Sequence, residues 1–237
     1  MGRGVDDPRG LRGADMTVTA VQGIGVHVRA VTPTAARAQA DFRVLLNVLS
    51  RPGALDVVGA GGGSGGGRGE GRGEGPVALA VAAGLADVEV PTAVLTEPGA
   101  EHWARALHLG TSAPPAPPER ARMVVALRPP TAAEIAGLTR GDAMHPELGT
   151  RLVVAVAALA GDDCGNVPGG VVLTLSGPGV PGTRRLRVGG LPRDVFEALT
   201  TANAAFPAGV DTFLVAQDGT VAGLPRSTRI QIENGEA

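Results

Sequence analysis

Asp211, Arg226, Ser227 and Thr228 bracket an apolar ribbon near the end of the chain, and Arg226, Ser227 and Thr228 are the residues best suited to hold an oxyanion. A guanidinium grips phosphate or phosphonate through two parallel N–H donors, and hydroxyls fill the acceptors that remain. Arg226 can equally pair with Asp211 across the ribbon and fix the C-terminal edge of the fold, as ion pairs often do. Ser176 opens the run Ser176-Gly177-Pro178-Gly179. That run can form a nest of backbone amides for an anion, or a tight turn between strands. Glu147 follows a proline and can act as a general base or as an exposed turn residue. Arg43 and Arg51 flank the second half of a predicted helix, where they complement its dipole or meet a partner subunit.

The elements that must position these groups follow from pattern. Pro207 and Gly209 make a tight turn ahead of Asp211. Val210 to Ala216 is apolar and β-prone, and Gln217-Asp218-Gly219-Thr220 turns the chain back. Pro225 has no N–H and ends the second strand, leaving Arg226, Ser227 and Thr228 at a strand end. Near the start, Thr34 caps a helix running to about Ser50. Phe42, Leu45, Leu46 and Leu49 recur at helical spacing and predict one buried stripe, with Arg43 and Asn47 on another face. Pro52-Gly53 ends the helix, and residues 54–58 read as a strand.

Between these ends the pattern alternates. Helices are expected over 77–86, over 98–109 with Gly110 as stop, and from Pro192 to about 205. Thr131-Ala132-Ala133-Glu134 is a capping box for a short helix. Strands are expected over 90–95, 123–127, 152–159, 171–175 and 229–232. Strands alternating with helices argue an α/β fold, a mixed sheet covered on both faces in three layers. Residues 1–30 read as an N-terminal tail, unstructured to Asp15, with Met16 a candidate start. Residues 31–233 read as one domain and 234–237 as a tail.

All 21 basic residues are arginine; the chain has no lysine. That excludes a Schiff base to pyridoxal phosphate and the lysine of a P-loop. A net charge of −2 and an aromatic fraction of 2% argue against nucleic-acid binding. Cys164 is alone, so no internal disulfide forms. No apolar run is long enough to span a bilayer and no secretory leader is visible, so a cytoplasmic protein is expected. The glycine-rich segment 59–75 reads as a flexible insertion. Its G-x-G-x-x-G and G-x-S-x-G matches lack the strand–turn–helix context that would give them chemistry. The four histidines show no metal spacing, Asp162 to Asn166 lacks the form of a calcium loop, and no catalytic grouping is assigned.

Several segments, in order, resemble one family. They are Phe42-Arg43-Val44-Leu45-Leu46-Asn47-Val48-Leu49-Ser50-Arg51-Pro52-Gly53, then Gly141 to Glu147 ending His145-Pro146-Glu147. Leu173-Thr174-Leu175-Ser176-Gly177-Pro178-Gly179-Val180, Phe206-Pro207-Ala208-Gly209-Val210-Asp211 and Leu224-Pro225-Arg226-Ser227-Thr228 follow. Together, from about Ala38 to Ile232, they resemble the PhnH family, the H subunit of the bacterial carbon–phosphorus lyase system. Leu49 stands where the family pattern has methionine, a volume-conserving change. The glycine-rich insertion is the larger departure.

The resemblance implies a compact relative of the pyridoxal-phosphate-dependent transferase fold that binds no cofactor and assembles as a homodimer. It implies partnership with the G, I and J subunits in phosphonate breakdown. There ATP and methylphosphonate form ribose 1-methylphosphonate 5-triphosphate, and a radical iron–sulfur subunit later cleaves the product. A chain with one cysteine does not hold that cluster. A stand-alone phosphonate- or nucleotide-binding protein, and a purely structural dimer, stay open beside this reading.

Overall fold

The computed structural model describes residues 24–59, 75–162 and 167–233. Met16, Cys164 and nearly all of the glycine-rich insertion lie outside the described residues, as do residues 1–23 of the predicted N-terminal tail and all of the predicted C-terminal tail, 234–237.

A six-stranded mixed sheet forms the centre. Its strands are β1 (Leu55–Val57), β2 (Thr92–Leu95), β3 (Met123–Ala126), β4 (Arg151–Val156), β8 (Asp211–Ala216) and β9 (Thr220–Leu224), in the order β1-β9-β8-β4-β3-β2. The four strands β2, β3, β4 and β8 run parallel; β9 and β1 are antiparallel additions. The parallel strands are apolar on both sides because both faces are covered. Val124, Leu152, Val154 and Leu214 face one buried cluster, whereas Met123, Val125, Val153 and Phe213 face another.

Helices cover the second cluster. They are α1 (residues 24–31), α2 (Ala35–Ser50), α3 (Val77–Ala83) and α4 (Glu101–Thr111). The first cluster is covered by α5 (Ala132–Ala136), α6 (Arg193–Ala202) and a second, antiparallel sheet. That sheet has four strands, β5 (Ala158–Ala160), β6 (Val171–Ser176), β7 (Arg184–Gly189) and β10 (Arg229–Ile232), in the order β10-β6-β7-β5. Its inward residues Leu173, Leu175, Leu186 and Val188 are fully buried.

Several expectations change. The strand expected over 152–159 breaks at Ala157, and its two halves join different sheets. Ala157 donates its N–H to Gly189, and a Cβ on Gly190 would meet Ala157, so the chain crosses from one sheet to the other there. The strand β7 is additional. Its sequence Arg-Arg-Leu-Arg-Val-Gly alternates charged and apolar residues, as a strand with one wet face must. The helix α4 runs through Gly110 and ends at Ser112, which takes a left-handed conformation (φ 60°). Gly110 serves close packing instead: a Cβ there would lie 2.5 Å from the Thr32 hydroxyl. Helix α1 lies inside the segment read as N-terminal tail, and α3 ends three residues before the expected 86.

The stripe on α2 is also corrected. Of the four predicted residues Leu45 is buried and Leu49 partly buried, but Phe42 and Leu46 are 46% and 51% exposed, and Asp41 and Val48 take their place on the buried face. The roll of the helix is set by β9, where Gly223 lacks the Cβ that would press 2.6 Å from the Val48 carbonyl. Asp41 tolerates burial because its carboxylate accepts from Arg37 Nε at 3.2 Å and from the Gly59 amide at 2.7 Å.

Candidate functional site

Asp211 opens β8 and Arg226 follows the end of β9, so the hairpin itself brings them face to face. The register pairs Thr212 with Leu224. Asp211 Oδ1 accepts from the Arg226 backbone N–H at 2.9 Å and from its Nε at 3.1 Å; Oδ2 accepts from Nη2 at 2.6 Å. Nη1 donates to the Pro146 carbonyl at 2.6 Å and to the Pro207 carbonyl at 3.4 Å. One guanidinium therefore ties the 146 loop, the 207 turn and β8 together. Its side chain is 14% exposed, and most of its donors are used. Charge-assisted bonds with this fork geometry are among the stronger ones a protein makes.

The same region gathers the other segments. Asn203, just past α6, clamps the turn before β8: its Oδ1 accepts the Val210 N–H at 2.7 Å and its Nδ2 donates to the Val210 carbonyl at 3.2 Å. Gly149 packs against the Gly209 carbonyl with no room for a Cβ, which also brings the 146 loop against Arg226. On the other side, Gly177 faces the Ser227 carbonyl, and Gly179 (φ +79°) packs directly on the Ser50 carbonyl. Arg184 Nη1 donates to the carbonyls of Arg51 and Pro52, at 3.2 and 2.7 Å. The segments around 42–53, 141–147, 173–180, 206–211 and 224–228 thus form one continuous set of contacts.

The candidate site residues proposed from sequence end up in different surroundings. Arg226 and Asp211 are committed to each other. Ser227 and Thr228 lie beside Gly177 and Pro178 on a cleft of about 640 Å³, which Phe206, Asn203 and Arg229 also line. Ser176 ends β6 opposite Arg229. Thr228 is buried and its hydroxyl has no partner among the described residues. Arg43 and Arg51 are exposed on and just after α2, away from the Arg226–Asp211 pair; Arg51 joins the cluster through its backbone carbonyl alone. Glu147 is exposed, 3.2 Å from His145 Nδ1, and its own backbone amide and that imidazole hold its carboxyl below the usual range. A carboxylate so stabilised is a weaker base.

Sequence reasoning did not single out Asn203, Arg184 or Arg229, and took Phe206 only as the start of a family segment. Arg184 had a visible signal in the alternation of β7. Asn203 had none, since its partner turn is reached only when α6 packs back on the sheet. His27, His102 and Trp103 also meet unexpectedly, with the two imidazoles 4.4 Å apart between centroids. Among the described residues no group of three His, Cys, Asp or Glu side chains could hold a metal ion.

The contact set sits at the amino-terminal edge of the parallel strands, where Asp211 and Arg151 are register partners. Open α/β enzymes bind ligands at the opposite, carboxyl edge. Fold and cluster together define a mixed α/β protein that uses its family motifs to fasten segments to one another. The chain matches the family model described as bacterial phosphonate metabolism protein (PhnH) over residues 30–231, and it belongs to that family. It is accordingly a protein of bacterial phosphonate metabolism. No curated protein matches it in sequence. No helix among the described residues is long and apolar enough to cross a membrane.

Proposed function

We propose that the chain acts as the H subunit of a carbon–phosphorus lyase core complex in the cytoplasm, with G, I and J subunits as partners. In this reading it is a homodimer on its own, with a compact transferase-like fold that takes no pyridoxal phosphate. It has no activity alone. With its partners it is needed to make ribose 1-methylphosphonate 5-triphosphate from ATP and methylphosphonate. The observation that carries the reading is the family match over residues 30–231. The use of the motif residues supports a structural share in that complex. Arg226, Asp211, Gly177 and Gly179 are used to hold chain segments together. Arg43 and Arg51 remain exposed and available to a partner subunit.

The test is co-expression of the tagged full chain with the neighbouring genes of its operon, followed by affinity purification and mass spectrometry. Recovery of the other core subunits in fixed ratio is the expected result. Recovery of the chain alone, at matched expression of the others, overturns the reading.

A further inference from the structure

We infer that the cleft between the end of α6, Phe206 and the start of β10 binds an organic phosphorus oxyanion, its charged group at Arg229 and Ser227 and its carbon part against Phe206. The choice of phosphorus over another oxyanion rests on the family reading above; the cleft itself does not.

The volume of about 640 Å³ is that of a small-molecule site. Its lining includes two cations, Arg226 and Arg229, and no carboxylate, in a chain whose net charge is −2. Asp211, the acid bonded to the cleft's Arg226, is neutralised by it. Local charge in the cleft is therefore positive and selects an anion. Arg226 is engaged, but Arg229 is exposed and makes no ion pair or side-chain hydrogen bond among the described residues. The Ser227 hydroxyl is likewise without a partner there. A free guanidinium beside a free hydroxyl matches the acceptor-rich surface of a tetrahedral oxyanion. The Thr200 hydroxyl donates to Phe196 and keeps its own lone pairs for a ligand donor.

The rest of the lining is mostly apolar, and Phe206 is the clearest case. Its ring is 64% exposed although its neighbours Pro207 and Gly209 are fixed by the Arg226 and Asn203 contacts. An aromatic ring held in water at the rim of a cationic cleft is a surface for a flat organic group. A ligand with both features gains from both ends; inorganic phosphate gains from one.

The experiment is calorimetric titration of the full chain, at low salt, with adenosine monophosphate, methylphosphonate and inorganic phosphate. Adenosine monophosphate is expected to bind at least about tenfold more tightly than inorganic phosphate. Arg229→Gln is expected to weaken it about tenfold or more. Phe206→Ala is expected to bring it to the level of inorganic phosphate while leaving inorganic phosphate unchanged. Both side chains are exposed, so both variants fold, which circular dichroism verifies. Absence of saturable binding overturns the inference, as does binding that Arg229→Gln leaves untouched or equal affinity for all ligands. The same variants go through the co-purification above. Loss of partners with unchanged titration assigns Phe206 or Arg229 to a protein interface and also overturns it. Normal titration with no partners overturns the complex reading alone.

Discussion

The carboxylate of Asp211 receives three N–H groups of Arg226, one of them from the backbone, at 2.9, 3.1 and 2.6 Å. The pair closes the open end of the β8–β9 hairpin just where Pro225 stops the ladder. Lysine at 226 keeps the charge but has no fork to reach Asp211, Pro146 and Pro207 together. Arg226→Lys is expected to cost about 2–4 kcal/mol of stability because it loses most of the fork's hydrogen bonds, and Asp211→Asn a similar amount, because it leaves the partly buried guanidinium without its charge partner. Exchanging the two residues is not expected to restore stability, since the Arg226 backbone amide also needs an acceptor at 211. Urea unfolding checks this; variants within about 0.5 kcal/mol of the parent contradict it.

Much of this arrangement was legible in the residues. The capping box at Thr131 is present with both of its reciprocal bonds, because capping is decided within one turn of chain. The hairpin around Gly219, the end at Pro225 and the helix after Thr34 were visible for the same reason: each is local chemistry. The pairing of Arg226 with Asp211 stood as an open alternative to ligand binding, since a hairpin register brings the two together but does not say what else they touch. What stayed hidden depends on packing between distant segments. The crossing at Ala157 reads as one unbroken apolar strand, because Leu152 to Leu159 holds only valine, alanine and leucine, with no glycine, proline or polar residue to mark a turn. The roll of α2 is set by Gly223, far along the chain, and periodicity alone does not reveal which apolar edge that glycine admits.

That roll is testable by comparing two neighbours on α2. Leu45 is 3% exposed and Leu46 is 51% exposed. Leu45→Ala opens a cavity beside β9 and is expected to destabilise by about 2–4 kcal/mol. Leu46→Ser and Phe42→Ser are expected to stay within about 0.5 kcal/mol in the isolated chain. Equal costs at 45 and 46, measured by denaturant unfolding, contradict the orientation of the helix described here.

Glu134 provides a pH-dependent contribution with a defined direction. Its carboxylate accepts from Arg128 Nη2 at 2.5 Å and Nη1 at 3.0 Å, and from the Thr131 backbone amide at 2.8 Å. The Arg128 guanidinium is the main cause that holds its pKa down to about 2. A group depressed in the folded state stabilises above its unfolded value, near 4.5, and loses that contribution as pH falls through its folded value. Glu134→Gln is therefore expected to be less stable than the parent by roughly 2 kcal/mol at neutral pH, after allowance for screening at a partly exposed site. The gap shrinks below about pH 4.5 and closes near pH 2. Thermal unfolding of both proteins across that range follows it; a gap that is constant with pH refutes the assignment.

Gly179 joins the turn after β6 to the end of α2, and it does so through the absence of a side chain. Its φ of +79° lies in the left-handed region, and a Cβ built there would run into the Ser50 carbonyl. Alanine meets both penalties at once, backbone strain and overlap with main chain that has no rotamer to change. The overlap is relieved only if the 50–53 segment moves away, and that segment is also held by Arg184 at Pro52, 2.7 Å. Gly179→Ala is expected to cost about 2–4 kcal/mol, well above the roughly 1 kcal/mol of left-handed strain alone. Gly182 is the internal control. It has a similar φ of +71° but open space around a built Cβ, so Gly182→Ala carries the strain without the collision. Unfolding midpoints of the two variants separate the terms. If they are alike, the contact between this turn and Ser50 does not contribute to fastening the end of α2 to the turn after β6.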